Sequence, residues 1–346
     1  MDSKENKKEI KCVVWDLDET LWHGILLEDE HVRLKEGIGE IIHELDRRGI
    51  IQSLASKNNY GPTMEKLKEL QIDHYFIYPE INWNAKSKSI ENLYLRLGIG
   101  LDSILFIDDQ EFEREEVKMA LPQIHCVDAA AYQELLAMPG LNPEFITEDA
   151  HQRREFYLID LARKEEEQKF VGTPDEFLAT LGLTYHIHEA LEEDIPRAYE
   201  LLHRTNRLNA TNRIYEPEVL KSFINSEKHK LYICALEDKF GSYGKIGLAL
   251  VKMEEQCWHM LQFAVSCRVI SRGAADTFLI FIMQEAKKHA QYLLADYILT
   301  EKNKQIYLIF KQNGLKEEEK VAEKQFIFKH PLLDLKKMPE YLKIEG

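Results

Sequence analysis

The chain has 346 residues, 45% hydrophobic and 30% charged, a balance that excludes a disordered polymer and suffices for two ordinary domains. Its formal charge of -15 argues against a general nucleic-acid binder, because the phosphate backbone is held by clustered Lys and Arg. No apolar run approaches the ~20 residues of a membrane span, and the charged start MDSKENKKEI lacks an apolar signal core, so a cytoplasmic protein without membrane association is expected.

From residue 10 short apolar strands alternate with amphipathic helices. KCVVWDL (11–17) reads as a strand, GIGEIIHELDRRG (37–49) as a helix closed by Gly49, IIQSLAS (50–56) as a strand and TMEKLKEL (63–70) as a helix. YFIYPEI (75–81) reads as a strand, SKSIENLYLRLGI (87–99) as a helix, SILFIDD (103–109) as a strand and FEREEVKMAL (112–121) as a helix. Such alternation predicts parallel strands with helices on both faces, hence an α/β domain over 1–140. AMPGLNPEF (137–145) breaks the pattern, and the charged helix 148–170 that follows reads as part of a connector, 141–175.

Residues 176–346 read as an α+β domain. Helical DEFLATLGL (175–183) leads into TYHIHEA (184–190) and the helix IPRAYELLHRTNRLN (195–209). A strand pair over 230–254, turning at EDKFGSYG, precedes the strand CWHMLQFAVSC (257–267) and the helix ADTFLIFIMQEAKKHA (275–290). Five scattered cysteines, Cys12, Cys126, Cys234, Cys257 and Cys267, form no CxxC pair, so neither a disulfide framework nor a zinc site is suggested.

In parallel sheets functional groups gather at the carboxyl ends of the strands. Asp16 and Asp18 end the first strand, Ser56 the second, Asp108 and Asp109 a later one, and Lys86 lies in the loop INWNAKS (81–87). Two carboxylates at one strand end repel unless a cation sits between them, and Mg²⁺ takes oxygen ligands while leaving room for phosphate. Ser56 and Lys86 offer a donor and a positive charge for phosphoryl oxygens. Asp16 is then placed to attack phosphorus, and Asp18 to protonate the leaving oxygen and later activate water. DxD alone arises by chance in acidic chains; the ordered set of DxDxT, Ser, Lys and DD carries the reading.

Asp16-Leu17-Asp18-Glu19-Thr20, Ser56, Lys86 and Asp108-Asp109 resemble the four motifs of the haloacid dehalogenase (HAD) superfamily over residues 10 to 130. The resemblance implies a HAD-like Rossmannoid parallel sheet, with Asp16 as nucleophile and Asp18 as acid/base. It implies Mg²⁺ held by Asp16, Asp18, Asp108 and Asp109, and phosphate held by Thr20, Ser56 and Lys86. The short spacings leave no room for a large cap, so the site is expected to admit a large ligand or be covered by the second domain.

INWNAKS, FIDDQEFERE, RTNRLNATNR, FGSYGKIG, SCRVISRG and KNKQIYLIFKQNGL are similar to segments of the FkbH family, in which a GNAT-like acyltransferase domain follows the phosphatase-like one. That resemblance implies transfer of a glyceryl group from 1,3-bisphosphoglycerate, a phosphorylated three-carbon acyl donor, to the phosphopantetheine thiol of an acyl carrier protein, with loss of phosphate, for polyketide-type biosynthesis. Cys267 would carry the acyl group as a thioester, and Arg204, Asn206, Arg207, Arg268 and Arg272 would bind the acyl group or the carrier. Where the family usually continues Gly-Arg-Gly-Val-Glu, this chain has Ser271-Arg272-Gly273-Ala274-Ala275. The Q/R-x-x-G-x-G/A loop of acetyl-CoA enzymes is also not met around Gly273. His186, His188 and His259 are candidate bases that read more readily as strand residues. Two other readings stay open: a Mg²⁺-dependent phosphatase of a sugar phosphate or phosphoprotein with the C-terminal half as lid, and a docking module whose Arg204, Arg207 and Arg213 attract an acidic carrier.

Overall fold

The computed structural model describes residues 9–29 and 31–345; residues 1–8, most of the segment from which a missing signal core is read, lie outside the described residues. The chain divides into two compact units, Met1–Leu158 and Ile159–Gly346, and the division falls inside the 141–175 stretch read as a connector. Among the described residues no helix is long and apolar enough to cross a membrane.

The first unit contains β1 (Cys12–Trp15), β2 (Trp22–His23), β3 (Arg33–Leu34), α1 (Ile38–Arg47), β4 (Ile51–Ser56) and α2 (Tyr60–Glu69). It continues with β5 (Glu80–Ile81), α3 (Lys86–Leu97), β6 (Ile104–Asp108), α4 (Glu111–Ala120), β7 (His125–Asp128) and α5 (Glu148–His151). The main sheet runs β5-β4-β1-β6-β7, every neighbouring pair parallel, while β2 and β3 form a small antiparallel pair of their own. All residues of β1, β4 and β6 are buried, as expected for strands covered on both faces. In α1 the buried Ile38, Ile41, Ile42 and Leu45 fall at the spacing of one helical stripe. Gly49 ends that helix with φ +69°, and a Cβ there would lie 2.7 Å from the Ala150 carbonyl of α5, so glycine is required by both conformation and space.

Trp15 pairs with Leu54 on β4 and with Ile107 on β6. One residue further along that register, Asp16, Ala55 and Asp108 come level at the carboxyl edge of three adjacent strands. The expected strand 75–81 shrinks to the two-residue β5, preceded by a 3-10 turn at Asp73–Tyr75. Pro79 contributes to this, since it lacks the N–H a longer ladder requires.

The second unit begins within α6 (Arg153–Lys169) and adds α7 (Pro174–Leu181), β8 (Thr184–Glu189), α8 (Ile195–Arg204), α9 (Pro217–Ile224), β9 (His229–Asp238) and β10 (Gly241–Met253). Then come β11 (Cys257–Val265), α10 (Ala274–Lys287), β12 (Tyr292–Ile298), α11 (Lys304–Gln312), β13 (Lys316–Ala322), β14 (Gln325–His330) and β15 (Lys343–Glu345). Its eight-stranded sheet runs β13-β14-β12-β11-β10-β9-β8-β15. The pairs β11–β12 and β8–β15 are parallel, and the other neighbours antiparallel. The fold class is the one the sequence indicates: an α/β parallel sheet without a large cap, then an α+β unit.

The expected helix 195–209 ends at Arg204, and the residues after it have a different task. Strands β11 and β12 pair only from Cys257 and Tyr292 to Met260 and Ala295. Beyond that the chain wedges Leu208–Ala210 between them: Ala210 N donates to Phe263 O at 2.9 Å, Val265 N to Leu208 O at 2.8 Å, and Ile298 N to Ala210 O at 2.9 Å. The buried Asn303 side chain locks the wedge by donating to Asn209 O at 3.0 Å.

In the same unit Arg163 and Asp238 form a fully buried ion pair, with Nε to Oδ2 at 2.8 Å, and Arg163 stacks over the Tyr243 ring at 3.6 Å. Removing one partner strands the other charge in the core. Asp238→Ala is therefore expected to destabilise the second unit by about 3–5 kcal/mol, measured as a lowered denaturant midpoint of its unfolding transition.

Candidate active site

The site is built where β1, β4 and β6 end. Asp16 is buried, and its N–H donates to Ile107 O at 2.9 Å, which fixes the backbone against β6. Lys86 is the first residue of α3 and only 3% exposed. Its Nζ donates to Asp16 Oδ1 and to Ala55 O at 2.7 Å, and lies 3.2 Å from Asp108 Oδ2. Burial opposes a charge on Lys86, yet the two carboxylates outweigh it and hold the ammonium above its ordinary range.

Asp16, Asp108 and Asp109 offer carboxylate oxygens that all lie within 4.8 Å of one another. Burial, and after it the Asp16 charge, pushes Asp108 up to about 6 and raises Asp109 as well. Asp108 Oδ1 is occupied by the Gln110 N–H at 2.8 Å, whereas Oδ2 has no partner in hydrogen-bond geometry. Three carboxylates this close, with one ammonium reaching only Asp16 and Asp108, suit a hard divalent cation that prefers oxygen ligands.

Asp18 does not join that group among the described residues; donors of the chain occupy its carboxylate oxygens. Glu19 adopts φ +50° and turns the chain back, so that Trp22 Nε1 donates to Asp18 Oδ1 at 2.8 Å and Leu26 N at 3.0 Å. Asn58 Nδ2 holds the other oxygen at 3.0 Å. Burial raises the Asp18 carboxyl despite these donors. Thr20 is fully buried and links the motifs: its Oγ1 accepts from Asp109 N at 3.1 Å and donates to Asp109 Oδ1 at 3.4 Å. Ser56 closes β4 in a buried position beside these groups, and its carbonyl accepts from Asn82 N at 3.0 Å.

Sequence reasoning missed Trp22 and Asn58 as the groups that orient Asp18. It also missed Lys57, which pairs with the buried Glu113 at 2.7 Å. The only local signal was adjacency, since Lys57 and Asn58 directly follow Ser56.

In the second unit Cys267 is partly exposed and opens the 3-10 segment Cys267–Arg272 that joins β11 to α10. Because Val265 bonds to Leu208, the exposed Asn206 and Arg207 lie at the same end of β11 as Cys267. Arg268 Nη2 donates to Tyr243 O at 3.0 Å. Arg272 is buried and paired with Glu167 at 3.1 Å, and Arg204 lies 3.9 Å from Glu200. Both arginines thus have carboxylate partners within the unit.

None of the three histidines is brought to Cys267 as a base. His186 lies between Glu237 and Glu345, and His188 faces Asp194. His259 Nε2 meets Asp296 at 2.8 Å, and Arg213 pairs with the same carboxylate at 2.6 Å, so Arg213 too has an internal partner. From His259 to Val265 the extended strand alone spans about 20 Å.

Residues 3–120 match the sequence model of the haloacid dehalogenase-like hydrolase family, and the first unit carries a domain of that kind. Among solved structures, the N-terminal part of the protein BF1531 from Bacteroides fragilis, containing the phosphatase domain and complexed with Mg, is 30% identical, with a TM-score of 0.34. The match covers 40% of this chain and 41% of that one, so this chain spans about two fifths of that structure. The ribosomal-protein-S18-alanine N-acetyltransferase from Escherichia coli is 13% identical over 43% of this chain and 94% of its own, with a TM-score of 0.35. An acetyltransferase from Thermus thermophilus is 12% identical over 44% and 99%, also at 0.35. No curated protein matches the chain.

Burial, and after it the neighbouring Asp16, disfavours the charged form of Asp108. Asp108→Asn is therefore expected to raise the melting temperature of the metal-free protein and to abolish any further rise on adding Mg²⁺. The folded state holds a proton on Asp108 more tightly than the unfolded chain, so the penalty removed is full above about pH 6 and shrinks as pH falls toward the ordinary carboxylate range. Thermal unfolding with and without Mg²⁺ at several pH values checks both.

Proposed function

We propose that the chain is a Mg²⁺-dependent phosphatase coupled to glyceryl transfer, as its resemblance to the FkbH family implies. It would take a glyceryl group from 1,3-bisphosphoglycerate, remove the remaining phosphate ester and load the phosphopantetheine thiol of an acyl carrier protein. The observation that carries the phosphatase half is the buried Lys86, shared by Asp16 and Asp108 beside Asp109. That arrangement sets a positive charge beside the nucleophilic carboxylate and brings carboxylate oxygens together for a cation.

Asp16, Asp108 and Asp109 would hold Mg²⁺, which when bound supplies positive charge to the phosphoryl oxygens. Asp16 attacks phosphorus, the ester P–O bond breaks, and Asp18 gives its proton to the departing oxygen. Asp18, now ionised, takes a proton from water as the water oxygen attacks the aspartyl phosphate, releasing phosphate and restoring Asp16. Trp22, Leu26 and Asn58 keep Asp18 in position through both proton transfers. Lys86 supplies a fixed positive charge beside the Asp16 carboxylate.

In the second unit Cys267 is the candidate to carry the acyl group as a thioester, with Asn206, Arg207 and Arg268 at the same end of β11. A second reading is a Mg²⁺-dependent phosphatase of a sugar phosphate or phosphoprotein with the C-terminal unit as a lid or docking module; the internal partners of Arg204 and Arg272 weigh against acyl binding there.

Intact-mass analysis of a phosphopantetheinylated carrier protein, incubated with this protein, Mg²⁺ and 1,3-bisphosphoglycerate, separates the two. The glyceryl reading expects a glyceryl adduct on the carrier that is lost with Cys267→Ser. Phosphate release without any adduct leaves the second reading in place. Under either reading Asp16→Asn lowers phosphate release by on the order of a thousandfold or more, and chelation of Mg²⁺ does the same; undiminished release sinks both.

A further inference from the structure

Lys86 is placed at the start of α3 against the ordinary preferences of a helix. The partial positive charge at a helix N-terminus disfavours a cation there, yet the first turn of α3 holds Lys86 and Lys88 and no acidic residue. Nor does the chain cap this turn locally. Ala85 stands at the N-cap position and makes no side-chain bond to the turn, while the first amides of a helix have no partner inside it.

The missing carboxylate comes from another helix. Glu116 of α4 is half-buried; its Oε2 accepts from Ser87 N at 3.1 Å, and its Oε1 accepts from Ser87 Oγ. One carboxylate thus holds both donors of the residue next to Lys86 and sets a negative charge at the positive end of α3. Helix α4 is itself fixed to the site. It starts at Glu111, directly after the loop that carries Asp109, and Arg114 Nη1 donates to Asp108 O at 2.7 Å while Nη2 meets Asp128 of β7 at 2.6 Å. The helix that follows Asp108 and Asp109 therefore grips the helix that begins with Lys86.

We propose that Glu116 is a positioning residue of the phosphoryl site: through Ser87 it holds the first turn of α3, and with it Lys86, beside Asp16 and Asp108. Without that contact the turn frays and Nζ leaves the carboxylates. The role in turnover rests on the phosphatase reading; the effect on binding does not need it. Lys86 repels a divalent cation at the carboxylates it touches and attracts phosphoryl oxygens. Withdrawing it moves the two affinities in opposite directions.

Calorimetric titration at pH 8 of wild-type protein, Glu116→Ala, Lys86→Met and the double variant, first with Mg²⁺ and then with orthovanadate in saturating Mg²⁺, tests this. Glu116→Ala is expected to bind Mg²⁺ about threefold more tightly and orthovanadate about tenfold less tightly. Lys86→Met shifts both in the same directions, and adding Glu116→Ala to it changes neither by more than about twofold, because residues that act through one another are not additive. Should Glu116→Ala not fold, Ser87→Ala, which removes half of the contact, moves both affinities the same ways by about threefold. A merely structural Glu116 would weaken both ligands or neither. A fall in Mg²⁺ affinity, unchanged affinities, or a full further effect in the Lys86→Met background therefore overturns the proposal, as does wild-type protein that binds neither ligand. Binding that follows the expected pattern in protein that releases phosphate from no ester removes the phosphatase reading alone.

Discussion

One ammonium buried among carboxylates sets the electrostatics of the first unit. Without Lys86, Asp16 and Asp108 would face each other at the ends of adjacent strands with nothing to offset their repulsion in a buried site. With it, one positive charge offsets part of the repulsion and leaves the cluster short of cations. The shape of the site follows from that shortage. Thr20 ties Asp109 to the first motif, Gln110 takes up one Asp108 oxygen, and the remaining oxygens face one another within reach of a divalent ion.

The sheet makes this crowding tolerable. Strands β1, β4 and β6 are buried on both faces and stay in register up to the residues that carry the charge. Buried backbone ladders are rigid, so the carboxylates cannot relax apart by bending the strands. Asp18 shows the alternative outcome two residues on. There the chain has left the sheet, and the turn through Glu19 folds Trp22 and Leu26 back as donors, so the second carboxylate of the motif is held by hydrogen bonds and not by charge.

Much of this was legible in the sequence wherever a residue's neighbours were set by strand order. Apolar runs ending in Asp placed Asp16, Asp108 and Asp109 at one sheet edge, and a loop lysine before a helix placed Lys86 with them. Partners fixed only by tertiary packing were not legible. Asn58 on Asp18, Glu113 on Lys57, Glu167 on Arg272 and Asp296 on Arg213 each join distant segments, so the arginines read as free for ligand while their carboxylates went unnoticed. Strands β12 to β15 were also missed; of these β13, KEEEKVA, is exposed at every position and has no alternation of apolar and polar residues to betray it. The stretch RTNRLNATNR looked like a polar surface loop, yet Leu208, Asn209 and Ala210 are buried, because asparagine amides replace missing sheet hydrogen bonds.

That wedge bears on how the second unit assembles. Strands β11 and β12 begin side by side but end apart, and the gap is completed only when a segment from before β9 arrives between them. Three regions remote along the polypeptide must meet at once, so the loop entropy is lost before the contacts repay it. Closure of this region then belongs after the folding transition state, and a change to Asn209 or Asn303 should speed unfolding while hardly slowing the forward rate.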